Sequence, residues 1–592
     1  MSEYLAPLKD MQFTLELVRQ HTGLDQIEVL AEMTPDFANT ILAEAAKFAT
    51  GVLSPLNQVG DQQGCRFDNG TVITPPGWQQ AYQQFCDNGW MGLAMTEAAG
   101  GQALPRFIAQ PVNEMWLSAN LAFVMFHALN QGGSDILRHF GSATQQQRYL
   151  EPLASGQWTI AMALTEPGAG SDLAATTTKA TPLANGDYRI KGQKIFITYG
   201  EHDMAANIIH LVLARTPDAP AGSRGISLFA VPKYRIEADG SLGAHNDVVC
   251  SGIEHKMGLH GSPTCSISYG DHDDCIGELI GAENQGLMAM FVLMNEARLS
   301  TGMQGVGFGE LSYQHALRYA QERSQGSHYQ NGTRVTINQH PDVQRMLLTM
   351  RSQTMGLRAL GYLLAAWIDL AEHSSDEQQR QQLRGQIALL TPVFKAFGTE
   401  QGNQMSYTCL QVFGGMGFVE ETGIAQFMRD ARIITIYEGT TGIQARDLLF
   451  RKILADKGTA LRCLLRHIHQ DADRLATPLA ELQSNLIHSV AAMQNQLEAL
   501  LDSANKTSEQ TRLHAGSVPL LDALGILCVG WQLALLADQA CIRGDSDADY
   551  HRNLIAQARF YFAHEMPRIQ ALLATVADAD NGLKDFDFNA AG

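Results

Sequence analysis

The spacing of apolar residues changes twice along the chain, and this limits the folds that it can adopt. Over residues 36–160 they recur at helical spacing, as in FANTILAEAAKFATGVLSPL. Over residues 161–280 they form short β-branched runs separated by Gly, Pro, Asn and Asp turns, and helical spacing returns over residues 281–456. The sequence therefore predicts an α+β fold: a helical domain, a middle antiparallel β-domain, and a second helical domain.

Two further helical segments flank these three domains. Residues 1–35 predict a short helical extension, and residues 457–592 predict an additional helical domain. The most apolar run, Val518–Ala537, is interrupted by Asp522 and two glycines, which favours a buried bundle helix over a membrane span. Because the opening MSEYLAPLKD has neither a signal-peptide nor a transit-peptide pattern, we expect a cytoplasmic location.

Composition excludes several classes of partner and site. The formal net charge of -19, without a Lys/Arg run, disfavours nucleic acid as a partner. The nine cysteines are scattered and form no C-x-x-C pair, so we expect reduced, mostly buried thiols. Asp271–Cys275, DHDDC, predicts a solvated turn and no metal site, because consecutive residues cannot all converge on one ion.

The segment IYEGTTGIQ, Ile436–Gln444, carries the clearest candidate for chemistry. Its Glu438 lies between an aromatic residue and a glycine, at the end of a β-branched run. A carboxylate in apolar surroundings has a raised pKa and can accept a weakly acidic proton near neutral pH. Glu438 is therefore a candidate general base.

Four motifs together resemble the FAD-dependent acyl-CoA dehydrogenases over the first three quarters of the chain. They are LTEPGAGSD (Leu164–Asp172), KIFITYG (Lys194–Gly200), QVFGGMGF (Gln411–Phe418) and FMRDARIITIYEG (Phe427–Gly439). The resemblance implies a four-helix core in the second helical domain, with the flavin at its seam with the sheet. The helical tail is similar to that of a larger bacterial branch, which includes 3-methylthiopropionyl-CoA and long-chain acyl-CoA dehydrogenases.

The resemblance also implies the reaction. Flavin N5 would take a hydride from the β-carbon of an acyl-CoA while Glu438 takes the α-proton, giving a trans-2-enoyl-CoA. We expect medium- or long-chain fatty acyl-CoA as substrate. The alternatives are a 3-methylthiopropionyl-CoA dehydrogenase, an acyl-CoA oxidase, and a non-enzymatic, DNA-associated branch of the same fold. Some relatives carry the base on another helix, where Glu296 is the nearest carboxylate.

By the same resemblance, the remaining site residues divide between cofactor and substrate. Residues expected to contact FAD are Leu164, Thr165, Phe196, Ile197, Thr198, Arg323, Gln411, Gly414, Gly415 and Thr440. Residues expected to contact acyl-CoA are Ser171, Thr216, Arg298 and Gly439. Arg323 matches an arginine that reaches the FAD pyrophosphate of a neighbouring subunit, so we expect a homodimer or a dimer of dimers. An electron-transferring flavoprotein is the expected electron acceptor.

Overall fold

The computed structural model describes residues 4–583, 585–587 and 589–590. The ends of the two outer predicted domains, residues 1–3 and 591–592, lie outside this part. The chain divides into two compact units. The helical unit comprises Met1–Ala46, Arg106–Ser118 and Thr301–Gly592, and the sheet unit comprises Lys47–Pro105 and Ala119–Ser300.

The helices follow the predicted helical spacing. Within the described ranges they are α1 (Leu8–Thr22), α2 (Glu28–Ala31), α3 (Pro35–Phe48), α4 (Ser54–Gln63), α5 (Trp78–Asp87), α6 (Arg106–Phe140), α7 (Ala143–Ala154), α8 (Gly286–Glu322), α9 (Pro341–His373), α10 (Glu377–Phe413), α11 (Ile424–Ala431), α12 (Thr441–Arg446), α13 (Thr459–Arg474), α14 (Ala480–Ser503), α15 (Gln510–Arg543), α16 (Ala548–His564) and α17 (Arg568–Ala577).

The strands are concentrated in the middle of the chain. Those in the described ranges are β1 (Arg66–Asp68), β2 (Thr71–Ile73), β3 (Trp158–Ala163), β4 (Lys179–Pro182), β5 (Tyr188–Thr198), β6 (Asn207–Ala214), β7 (Ser227–Pro232), β8 (Tyr234–Ile236), β9 (Leu242–His245), β10 (Val248–Ile253), β11 (Thr264–Tyr269), β12 (Ile276–Ile280), β13 (Ser324–Ser327) and β14 (Arg334–Thr336). The hairpins β1–β2 and β13–β14 lie in segments for which helices were predicted.

An eight-stranded sheet forms the body of the sheet unit. Its order is β10-β11-β5-β12-β7-β6-β3, and β4 also pairs with β5. The predicted α+β fold class is confirmed, but the sheet is not wholly antiparallel, because β3 and β6 run parallel. Parallel neighbours need a long crossover, and the chain between β3 and β6 provides one that contains β4 and β5.

A β-bulge interrupts β5 within the predicted cofactor motif. Cys265 of β11 pairs with Ile197 and Ile267 pairs with Lys194, so Ile195 and Phe196 together lie opposite a single residue. Phe196 has a φ of 58°, in the left-handed region. The strict alternation of a β-strand, which would place Phe196 and Thr198 on one face, therefore fails at this residue.

Long helices that pack against one another build the helical unit. Helix α9 packs against α10, and α15 packs against α9, α10, α12, α16 and α17. Among the described residues, the helical stretch Thr507–Arg543 alone is long and apolar enough to cross a membrane, and 94% of its most apolar window is buried inside the protein. Such burial is that of a core helix, as the sequence predicted for Val518–Ala537.

Candidate active site

Glu438 lies in a turn whose backbone is unusual for a side-chain-bearing residue. Its φ is 56°, and that of Gly439 is 93°. The left-handed region costs a residue with a Cβ atom about 1–2 kcal/mol, and such conformations persist where the surroundings fix them. The turn ends at Thr440, whose side chain caps α12 by accepting a hydrogen bond from the amide of Ile443 at 3.4 Å.

Two buried side chains fix the carbonyls of this turn. Gln444 Nε2 donates to the carbonyl oxygen of Glu438 at 2.8 Å. Lys395 Nζ, from α10, donates to the carbonyl oxygen of Gly439 at 2.8 Å. Both donors are fully buried. The two successive left-handed residues are therefore held from α12 and from α10.

The residues on either side of the turn are also anchored. The hydroxyl of Tyr437 donates to Gln304 Oε1, and Thr441 Oγ1 donates to Glu400 Oε1 at 2.5 Å. Burial, reinforced by the nearby charge of Glu438, raises the pKa of Tyr437. Tyr437 therefore stays a neutral donor while the position of Glu438 is fixed.

None of these anchors was identified from the sequence. Lys395 lies in the apolar string VFKAFG, and the only available signal was a charged residue in an otherwise buried helix face. Gln304, Gln444 and Glu400 have no distinguishing local pattern.

The predicted flavin-edge residues meet in the sheet unit. The amide of Ile195 donates to the carbonyl of Thr165 at 2.9 Å, and Lys194 Nζ donates to the carbonyl of Leu164 at 3.0 Å. The motifs LTEPGAGSD and KIFITYG are thus in contact. Phe196 leaves 58% of its surface exposed at this place, and Ile197 is buried while Thr198 is half-buried. An exposed aromatic ring beside polar groups suits a planar cofactor.

A buried ion pair orders the loop that carries Thr165. Lys194 Nζ lies 2.8 Å from Glu166 Oε1. The same carboxylate accepts hydrogen bonds from the amides and hydroxyls of Thr177 and Thr178 at 2.6–3.0 Å. Burial alone would raise the pKa of Glu166, but Lys194 and these bonds lower it to about 2.

Glu166→Gln is expected to destabilise the protein by about 3 kcal/mol, because the Lys194 ammonium would remain buried without its counter-charge. The pKa of Glu166 is depressed from 4.5 to about 2, so its contribution is complete above pH 4.5 and is lost as the pH falls toward 2. Urea unfolding at pH 7 and pH 3.5 checks this, since the gap between wild type and variant should narrow at the lower pH. Glu97→Gln, at an exposed position, is the control, and an equal effect of both variants would contradict the prediction.

The predicted acyl-CoA contacts of the sheet unit occupy different environments. Ser171 lies on an exposed loop, and Arg298 is buried within α8. Thr216 is also buried, and its hydroxyl donates to Glu283 Oε2 at 3.1 Å. The alternative base, Glu296, lies half-buried on α8.

The end of α8, which Arg323 follows, packs against the QVFGG motif in the helical unit. Arg323 is exposed directly after α8, and its amide donates to the carbonyl of Tyr319 at 2.8 Å. The Tyr319 ring stacks on Phe413, with 4.1 Å between ring centroids. Gly414 and Gly415 follow Phe413, and a Cβ atom built on either would meet no atom within 4 Å. A guanidinium, the exposed amide Gln411 and an open glycine surface suit a pyrophosphate and its nucleotide.

Comparison with known proteins matches four domain families in succession. They are described as acyl-CoA dehydrogenase N-terminal domain (residues 36–157), middle domain (161–272) and C-terminal domain (284–453), and as acetyl-CoA dehydrogenase C-terminal like (464–587). The fold and the motifs thus define a flavin-dependent oxidoreductase that acts on acyl-CoA, with FAD as its cofactor.

The chain belongs to the acyl-CoA dehydrogenase family. It is 41% identical to 3-methylmercaptopropionyl-CoA dehydrogenase of Ruegeria pomeroyi, over 98% of this chain and 99% of the relative. It is 34% identical to a butyryl-CoA dehydrogenase of Syntrophomonas wolfei, over 98% of each chain. Its fold matches a crystal structure of an acyl-CoA dehydrogenase complexed with FAD from Bacillus anthracis, with a TM-score of 0.76, 22% identity, and coverage of 94% of this chain and 91% of that one.

Proposed function

We propose that this protein removes hydrogens from the α- and β-carbons of an acyl-CoA thioester, with Glu438 as the base that takes the α-proton. The observation that carries this proposal is the turn at Glu438. Gln444 holds the carbonyl of the left-handed Glu438, and buried Lys395 holds the carbonyl of Gly439, so the backbone that carries the carboxylate is fixed. Fixed positions of this kind characterise general bases.

The other predicted residues have separate tasks in this proposal. The backbone amide of Glu438 would donate to the thioester oxygen, where negative charge develops when the α-proton leaves. Leu164, Thr165, Phe196, Ile197 and Thr198 would hold the flavin ring. Arg323, Gln411, Gly414, Gly415 and Thr440 would hold the rest of FAD, and Ser171, Thr216, Arg298 and Gly439 would contact acyl-CoA. Bound FAD supplies the hydride acceptor that no side chain can provide.

For the substrate, we propose 3-methylmercaptopropionyl-CoA, and straight-chain acyl-CoA as the second candidate. The 41% identity along the full chain to a dehydrogenase of that thioester supports the first. The similarity to a butyryl-CoA dehydrogenase supports the second candidate, but only for short acyl chains. The medium- or long-chain preference expected from the sequence is another form of this second candidate.

Anaerobic titration of the FAD-containing protein distinguishes the candidates. We expect 3-methylmercaptopropionyl-CoA to bleach the flavin absorbance at lower concentration than butyryl-, octanoyl- or palmitoyl-CoA. Bleaching by butyryl-, octanoyl- or palmitoyl-CoA at lower concentration than by 3-methylmercaptopropionyl-CoA would favour the second candidate instead. A flavin that none of the four thioesters bleaches would contradict the proposed function.

We propose an electron-transferring flavoprotein as the acceptor of the electrons. Turnover with the chosen thioester should then depend on added electron-transferring flavoprotein. Turnover that consumes oxygen at the same rate without it would identify an acyl-CoA oxidase instead.

We also propose that the protein works as a homodimer or a dimer of dimers in which Arg323 reaches FAD held by the neighbouring subunit.

Arg323→Ala should release FAD about tenfold more readily, because a charge-assisted bond to a pyrophosphate is lost while the core is unchanged. The FAD-to-protein absorbance ratio after dialysis measures this loss. Arg334→Ala, exposed on the adjacent β14, is the matched control. A fully active, FAD-replete monomer in sedimentation would contradict the shared arrangement.

A further inference from the structure

Lys395 is a buried cation on an apolar helix face. It lies in α10 with 0% of its surface exposed, and its neighbours Phe394, Ala396 and Phe397 are buried as well. Burying an ammonium costs several kcal/mol unless its surroundings compensate. Residues whose chemistry conflicts with their place in the fold, such as a charged side chain in a buried position, concentrate at functional sites.

The acceptor of Lys395 gives the lysine a place in the reaction. Its Nζ donates to the carbonyl of Gly439, the residue directly after Glu438, at 2.8 Å. Without Lys395, Gly439, the second of two successive left-handed residues, would lose this hydrogen bond to α10. Misplacing a reacting group by about 1 Å can cost a hundredfold in rate.

We propose that Lys395 is a positioning residue for proton abstraction, which holds the Glu438–Gly439 turn to α10 and places a positive charge at the turn that carries the base. This inference rests on the proposed role of Glu438. The charge favours the ionised carboxylate of Glu438, the form that accepts a proton. The hydrogen bond fixes the carbonyl of Gly439 and so limits the backbone conformations open to the preceding Glu438.

Other titratable groups border the same turn. Glu400, also on α10, accepts from Thr441, and Asp430 of α11 and Glu438 both raise the pKa of Tyr437, although burial raises it more. Asp522 of α15 has a pKa raised to about 6 by burial and by Glu400. All of these groups remain in a Lys395 variant, so the comparison must separate the hydrogen bond from the charge.

Two substitutions make that separation. Lys395→Met removes both the donor and the charge, whereas Lys395→Gln keeps an N–H donor without the charge. Anaerobic stopped-flow reduction of FAD, with the thioester that reduces wild type fastest, gives the limiting rate constant and the apparent Kd of the substrate. We expect Lys395→Met to lower the rate constant about a hundredfold, with the Kd and FAD content close to wild type.

The conservative variant and the pH profile provide readouts that a merely structural lysine would not change. Lys395→Gln should recover about tenfold of the rate, by restoring a donor to the Gly439 carbonyl. In both variants the acid limb of the rate profile should move to higher pH, because Glu438 loses the neighbouring charge and its pKa rises. Lys9→Met, at an exposed position in α1, should match wild type.

The outcomes separate this inference from the proposed function. A wild-type rate constant and acid limb in Lys395→Met would overturn the role of Lys395. Equal losses of rate in both variants, in proportion to the FAD that each has lost, would also overturn it. If Lys395→Met does not fold, a folded Lys395→Gln with wild-type kinetics would overturn it. If Glu438→Gln keeps its rate, the assignment of the base fails, whatever the Lys395 variants do.

Discussion

Glu438→Gln is expected to slow flavin reduction by acyl-CoA by about 10²–10⁴-fold, the usual contribution of a general base. An amide has nearly the shape of a carboxylate but cannot accept the α-proton. The turn should survive, because its contacts from Gln444 and Lys395 end on main-chain carbonyls and not on the Glu438 side chain. The loss should therefore fall on the rate constant, with FAD content and substrate Kd nearly unchanged.

Stopped-flow reduction under anaerobic conditions checks this expectation, with Glu296→Gln as the matched variant. Glu296 is a half-buried glutamate on α8, the helix on which some relatives carry their base. Its replacement should leave the limiting rate within about threefold of wild type, well short of a general-base effect. The reverse pattern, with a slow Glu296→Gln and a fast Glu438→Gln, would move the base to α8.

The order of the domains could be predicted because it depends on local periodicity. Helical and two-residue spacing of apolar side chains are properties of short segments, and they survive in a single sequence. The parallel pairing of β3 with β6 could not be predicted, since the run that forms β6 specifies neither its partner nor its direction. The bulge at Phe196 could not be predicted for a related reason. A φ of 58° at an aromatic residue does not change the alternation of apolar and polar residues in the sequence.

The candidate site shows the same division between local and distant information. Glu438 could be predicted as a candidate base from its own motif, in which neighbours in sequence are neighbours in space. Its anchors come from elsewhere: Gln304 lies 133 residues before Tyr437, and Lys395 lies 44 residues before Gly439. No pattern within α8 or α10 predicts these encounters, because they follow from the packing of the helices.

A buried charge network in the helical unit predicts the largest effect on stability. Arg358 of α9 is fully buried, donates through Nε to Glu114 Oε1 at 2.8 Å, and donates through a terminal nitrogen to Glu310 Oε2 at 2.6 Å. Tyr362 donates to the other oxygen of Glu114 at 2.6 Å. Glu310 has a second cation, Arg351, at 3.8 Å. Of the two carboxylates, Glu114 therefore depends more on Arg358 for compensation of its buried charge.

Arg358→Met should lower the free energy of unfolding by about 3–5 kcal/mol, since one or two carboxylates would remain buried without their shared cation. Burial raises the pKa of Glu114 even beside Arg358, so in the variant Glu114 should bind a proton and relieve part of the penalty. The loss of stability should therefore be smaller at pH 5 than at pH 8.

Adding Glu114→Gln to Arg358→Met should restore part of the lost stability, because a neutral amide can still accept from Tyr362. Arg345→Met, on the same helix in an exposed pair with Asp342, should cost less than about 1 kcal/mol. Thermal and urea unfolding measure the stability of all three variants, and equal losses in Arg358→Met and Arg345→Met would show that the network does not stabilise the helical unit.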